Sequence, residues 1–214
     1  MTTATFQPAD ADTILSSVSP NTNYASDTYL YLNAISNSRI VLKFDISSIP
    51  TSATCNSAVL SLYTFYEMTA KAGVTWLVYK ILSGNNGWTE SGATWNMQYG
   101  STNWAGSGGC STDGVDLDYS SAIGSAVIDV SADGIENQFT LTTSVVQGWI
   151  ASPSSNSGMV IFVNDTSGAE YVHSSESATS SYRPKLVVDY TLSGVKYRRT
   201  ISPLGARIGS RQAA

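Results

Sequence analysis

The chain has 214 residues, 13% of them charged, and a formal net charge of −5. That length suits one all-β domain with a sizeable core, and no run of about 18 apolar residues is present to span a membrane as a helix. Up to Asp189 sixteen acids face six bases, a net −10, whereas residues 191–214 hold five bases and no acid; the acidic body argues against nucleic-acid binding, which needs a basic face.

Met1-Thr2-Thr3-Ala4-Thr5 lacks the basic start and apolar run of a secretory leader, and Met1 reads as a native start. From there, period-two runs of β-branched and aromatic residues predict strands over 12–16, 28–32, 39–45, 58–63, 74–81, 126–130, 138–141, 159–163, 171–174 and 186–192. One short helix is predicted over 144–150, where Val145, Val146, Trp149 and Ile150 gather on one face. Gly, Asn, Ser and Pro separate these runs. The 34 Ser and 22 Thr suit a hydroxyl-covered β surface. Ten short strands with one helix predict an all-β fold, a two-sheet antiparallel β-sandwich (jelly roll). The domain is expected over residues 1–190, with 191–214 as an extended basic arm.

Residues 86–96 hold Trp88 and Trp95 seven apart, with Glu90, Thr94 and Asn96 around them. Two such bulky side chains in a connection anchor it to a core. This segment resembles the loop of the DNRLRE domain, a jelly-roll module related to carbohydrate-binding modules. Five further pieces are similar to that family in the same order. They are Pro20-Asn21-Thr22-Asn23-Tyr24, Arg39 through Pro50, Ala58 through Tyr63, Val145 through Trp149 with Asn156-Ser157-Gly158, and Ser175-Glu176 with Arg183 through Tyr190. The resemblance covers about residues 8–190. It implies a jelly roll and, as one function, carbohydrate binding. Fold and function remain separable.

Catalysis finds little footing. His173 is the one histidine, no Gly-x-Ser-x-Gly turn is present, and a Ser-His-Asp triad has no support in sequence. Glycoside hydrolysis needs two carboxylates across a cleft. Glu90, beside two tryptophans, is the best acid, but bracing the Trp loop through backbone amides is the stronger reading. The chain is therefore expected not to be an enzyme.

No cofactor and no metal site are expected. A structural calcium has two oxygen-rich candidate sets, Asp113 with Asp116 and Asp118, and Asp10 with Asp12, Asp45 and Asp189; solvated loop carboxylates are the alternative. Cys55 and Cys110 fit no metal spacing, and a disulfide or two free thiols both remain open.

Aromatic rings pack on the apolar face of a pyranose. Tyr24, Tyr29, Tyr31, Tyr66, Trp76, Tyr99 and Trp104 are available for this, and Tyr29 and Tyr31 share one face by alternation. Trp88, Trp95 and Trp149 are assigned to the core. Tyr99 and Trp104, in a long Gly-, Ser- and Asp-rich insertion over 97–121, are the expected exposed pair and the candidate glycan-binding residues.

Two functions follow. The first is a non-enzymatic structural protein of a larger assembly, such as a phage virion decoration, fibre or tail component, assembled in the host cytoplasm. It would meet neighbouring subunits or copies of itself through Lys196, Tyr197, Arg198, Arg199, Ile201, Leu204, Arg207 and Arg211. The alternative is an extracellular carbohydrate-binding module recognising a polysaccharide. Neither uses nucleic acid or membrane as a partner.

Overall fold

The computed structural model describes residues 1–34, 37–66, 73–106, 108–163 and 169–192. The arm residues from Lys196 to Arg211 lie outside them. Thirteen strands occur among the described residues: Thr2–Phe6 (β1), Ala11–Ser16 (β2), Tyr29–Asn33 (β3), Ser38–Lys43 (β4), Ala53–Tyr63 (β5), Thr75–Lys80 (β6), Met97–Tyr99 (β7), Thr102–Asn103 (β8), Gly124–Val127 (β9), Glu136–Thr140 (β10), Met159–Val163 (β11), Ala169–His173 (β12) and Lys185–Leu192 (β13). The helix, Thr143–Ala151 (α1), lies between β10 and β11.

Two antiparallel sheets form the sandwich, in the orders β1-β13-β5-β10 and β2-β4-β11-β6-β9. Alternation turns Ala58, Leu60 and Leu62 of β5 towards Ile40 and Leu42 of β4, Trp76 and Val78 of β6, and Met159 and Ile161 of β11. Val146, Trp149 and Ile150 of α1 close the same core. The helix is tied to β5 by Gln147, whose side chain accepts from Cys55 N (2.8 Å) and donates to Ala53 O (3.1 Å). Strand β13 pairs through Leu192 with Ala53, two residues past the expected domain boundary.

Strands β2, β4 and β11 of the second sheet are largely buried on both faces. Leu15, Val41, Tyr79 and Val160 point away from the main core and meet Trp88, Ala93, Trp104, Cys110 and Leu117 from the connection between β6 and β9. This connection is thus a third layer with its own apolar core. Double burial explains the unbroken apolar runs Ile40-Val41-Leu42 and Met159-Val160-Ile161. Cys55 and Cys110 are free thiols, Cys55 beside the main core and Cys110 within the second.

The third layer corrects the expected exposure of Trp104. Its ring is 2% exposed, and Nε1 donates to Thr94 O at 2.9 Å. Tyr99 is 41% exposed, as expected. Trp88 is buried with Nε1 donating to Ser157 O (2.7 Å), and Trp149 is buried too. Trp95 is only half-buried; its ring lies 4.4 Å from the Arg39 guanidinium, whose other side faces Phe162 at 4.9 Å. Burial holds the Arg39 pKa below its usual value, and the two ring faces supply the attraction that an exposed cation would take from water. Trp104→Ala is expected to cost about 3–5 kcal/mol through a cavity in the second core, and Tyr99→Ala no more than about 1 kcal/mol. Urea midpoints of the two variants compare them directly.

Candidate functional site

Strands β3 and β12 form a two-stranded antiparallel ribbon in which Tyr31 faces Tyr171 and Tyr29 faces His173. Leu30, Leu32 and Val172 alternate inward and are fully buried. The same alternation sets Tyr29, Tyr31, Tyr171 and His173 on the opposite face. Phe65 joins them because its N–H donates to Tyr171 O (2.9 Å) just after β5. Tyr182, from the 3-10 turn Ser180–Tyr182, then reaches His173 and stacks on Tyr63.

The result is an unbroken path of seven rings: Tyr31, Tyr171, Tyr29, Phe65, His173, Tyr182 and Tyr63. Successive centroids lie 5.1 to 5.9 Å apart. His173 and Tyr63 are buried and the others half-buried; Tyr66, next in the chain to Phe65, is 49% exposed. Only Tyr29, Tyr31 and Tyr66 of this set stood among the sugar-stacking candidates in sequence. The signal for Tyr171 was its alternation with His173 in a predicted strand; its register against Tyr31 is set by pairing across the fold.

His173 also sits in a Ser-His-Asp array. Its Nδ1 lies 2.9 Å from Ser177 Oγ and its Nε2 lies 3.1 Å from Asp133 Oδ1. A carboxylate accepts, so Nε2 carries the proton and Nδ1 accepts from the serine hydroxyl. The burial order is the reverse of what acyl transfer needs. The would-be nucleophile Ser177 is 2% exposed, while the Asp133 side chain is 54% exposed. Asp133 Oδ1 also accepts from Tyr66 N (3.2 Å), so the array ties the rim of the ring face to the turn after β12.

A second polar cluster lies at the start of β2. Asp12, Glu90 and Glu176 place carboxylate oxygens within 4.8 Å of one another. Asp12 is 1% exposed; its oxygens accept from Ser175 N (2.9 Å) and Ser175 Oγ (3.2 Å). Burial, then the Glu176 charge, pushes the Asp12 carboxyl up to about 8, and burial likewise raises Glu90. Glu90 Oε1 accepts from Asp12 N (2.9 Å), and Asn23 Nδ2 donates to Glu90 O and Ala93 O at 2.7 Å each. Bracing of the Trp loop, the stronger reading of Glu90, is therefore what its contacts do. Oxygen donors so grouped have the chemistry of a hard divalent cation such as calcium, and these three residues would hold one.

The two calcium sets read from sequence are not brought together. Asp116 is buried and accepts from Asn85 Nδ2, Gly106 N and Thr112 N, while Asp113 accepts from Tyr119 N and Asp118 from Ser120 N. Of the other set, Asp10 accepts from Asp45 N, Asp45 from Ser47 N and Asp189 from Ser57 Oγ. Asp12 alone enters a carboxylate cluster.

The family model of the disaggregatase related repeat domain matches residues 12–188, from the buried Asp12 to the last core residue of β13. The chain belongs to this family. The disaggregatase-related repeat match takes in all seven rings, the Ser-His-Asp array and all three clustered carboxylates. No curated protein matches the chain.

Proposed function

We propose that this domain is a non-catalytic polysaccharide-binding module whose contact surface is the β3–β12 ring face. The seven-ring path, with the exposed Tyr66 next in the chain to Phe65, carries the reading. Ring faces take up the C–H face of a pyranose, and rings locked against one another lose little side-chain entropy on binding. The sequence likeness to DNRLRE and carbohydrate-binding modules points the same way. The buried Ser177 argues against serine-based acyl transfer at this face.

Each stacked ring is expected to contribute about 1–2 kcal/mol, or about 5- to 30-fold in Kd. Affinity electrophoresis through polysaccharide gels tests this with Tyr66→Ala and Tyr171→Ala. Both should lose retardation while Tyr99→Ala keeps it. Retardation lost in Tyr99→Ala and kept in the other two would move the site to the third layer. Tyr66 is exposed, so its removal separates binding from folding.

The charge split between body and arm favours a second, compatible reading: a structural component of a larger particle, a virion among them, docked through residues 191–214. Apolar arm residues such as Ile201 and Leu204 would hold the docked state, and the five cations would guide it. Deletion of 195–214 is expected to leave the melting temperature of the domain nearly unchanged and to abolish incorporation into the particle or oligomer. Calorimetry and size-exclusion chromatography read the two outcomes.

A further inference from the structure

We infer that the outer edge of β1 takes up residues 195–201 of a second copy as an added strand, a reading that rests on the arm being an assembly segment. Strands β1, β10, β2 and β9 end the two sheets of the sandwich. Three of these edges are covered. Strands β9 and β10 lie against each other, joined where Thr142 N donates to Ile123 O (2.7 Å) and Asp129 N to the Asn137 side chain (2.8 Å). Strand β2 is buried along most of its length, and Asp12 N donates to Glu90. Strand β1 differs. Thr2, Thr3 and Thr5 are exposed, Ala4 and Phe6 are half-buried, and among the described residues only β13 pairs with it. Natural edges are commonly blunted by lysine, proline or a bulge. Thr2–Phe6 holds no charge and no proline, and its register with β13 runs unbroken.

The arm supplies a segment of matching length and pattern. In Val195-Lys196-Tyr197-Arg198-Arg199-Thr200-Ile201, outside the described residues, Val195, Tyr197 and Ile201 alternate with Lys196, Arg198 and Thr200; Arg199 is the one break. Pro203 stops the run two residues later. Laid along β1, the apolar side would sit beside Ala4 and Phe6, where the main core reaches the sheet edge only partly covered. The cationic side would share the outer face with Thr3, Thr5 and Asp189, whose carboxylate accepts from Thr3 Oγ1. A second β1 in the same place would bring no cation to a body that carries −10. The chain's own arm is badly placed for this edge, because β1 lies between it and β13. It would have to cross two strand spacings, about 9.5 Å, with Ser193 and Gly194 fully stretched. A neighbour's edge imposes no such crossing.

Size-exclusion chromatography with light scattering tests this on the full chain, which should be an oligomer, whether by reciprocal exchange of arms or head to tail. The double variant Thr3→Lys, Thr5→Lys sets like charges against the arm at exposed positions. It should be a monomer with an unchanged melting temperature. The matching Thr3→Glu, Thr5→Glu variant should stay assembled. Tyr197→Asp, which leaves the β1 edge untouched, should be a monomer too. Backbone pairing has its own readout: the amides of Thr3 to Phe6 should exchange roughly tenfold more slowly in the full chain than in a chain lacking 195–214. Assembly lost on deletion of 195–214 but kept in the double-lysine variant would overturn the inference and leave the arm reading standing. Assembly that survives the deletion would overturn both. A full chain that is monomeric at every concentration, or β1 amides that exchange alike with and without the arm, would overturn the inference alone.

Discussion

Gly109→Ala is expected to destabilise the domain by about 3–5 kcal/mol, the sum of a left-handed backbone penalty and overpacking. Gly109 has φ +77°, and a Cβ there would overlap the Arg39 guanidinium and come within 2.6 Å of the Trp95 ring. Its N–H donates to Trp95 O (2.6 Å), and its carbonyl accepts from Arg39 Nη1 (3.2 Å). Neither neighbour can yield. Arg39 is clamped between Trp95 and Phe162, and moving it would expose or unpair a cation already held in a buried layer. For a domain of this size the loss corresponds to a fall in Tm on the order of 10 °C. Gly114→Ala is the control. Gly114 has a similar φ of +71° but nothing within 4 Å of the added Cβ, so it should lose only the backbone part, about 1–2 kcal/mol. Equal melting temperatures for the two variants would show that the third layer moves freely over Arg39.

The same layer marks where the sequence was legible and where it was not. Strands that alternate cleanly, such as Tyr29–Asn33 and Glu136–Thr140, were readable because one face is apolar and the other is not. The helix was readable from Val146, Trp149 and Ile150 on one stripe. Thr2–Phe6 was missed because Thr and Ala alternate there with little apolar contrast, and Met97–Tyr99 and Thr102–Asn103 are too short to show a period. Trp104 was misplaced because its neighbours are Gly, Ser and Asp, the composition of a solvated loop. The missing clue lay elsewhere, in β4 and β11. Strands apolar on both sides require a cover on each, and the long connection holding Trp88, Trp95 and Trp104 supplies the second. Asp12 and Glu90 were each visible, but Glu176 joins them only through the fold, 86 positions from Glu90 in the chain. No local pattern announces such a meeting.

That meeting governs how stability should vary with pH. The Asp12 carboxyl is raised from 3.8 to about 8 in the folded protein. The folded state therefore binds a proton that the unfolded chain has already released between those values. Stability should be highest near the lower end of that window, fall as pH rises towards 8, and level off once Asp12 is ionised in both states. Glu90, also raised by burial, adds to the same slope. Glu136 works in the opposite sense. Its bond from Lys185 holds it at about 2, so its contribution is present above its ordinary value of 4.5 and is lost as pH falls towards 2. The two limbs together place the optimum near pH 4–5. Asp12→Asn removes the titrating group yet keeps an oxygen for Ser175 N. Its urea midpoint should fall much less between pH 5 and 8.5, keeping only the Glu90 part, where the wild type declines by an amount on the order of 5 kcal/mol. At pH 8.5 the variant should be the more stable of the two, and at pH 5 the two should be close. The measurement is made with chelator present, because a divalent cation shared by Asp12, Glu90 and Glu176 would take the place of the proton and hide the slope. A wild type as stable at pH 8.5 as at pH 5 in chelator would mean that the three carboxylates separate once charged, and that the brace between β2 and the Trp loop opens without cost to the rest of the fold.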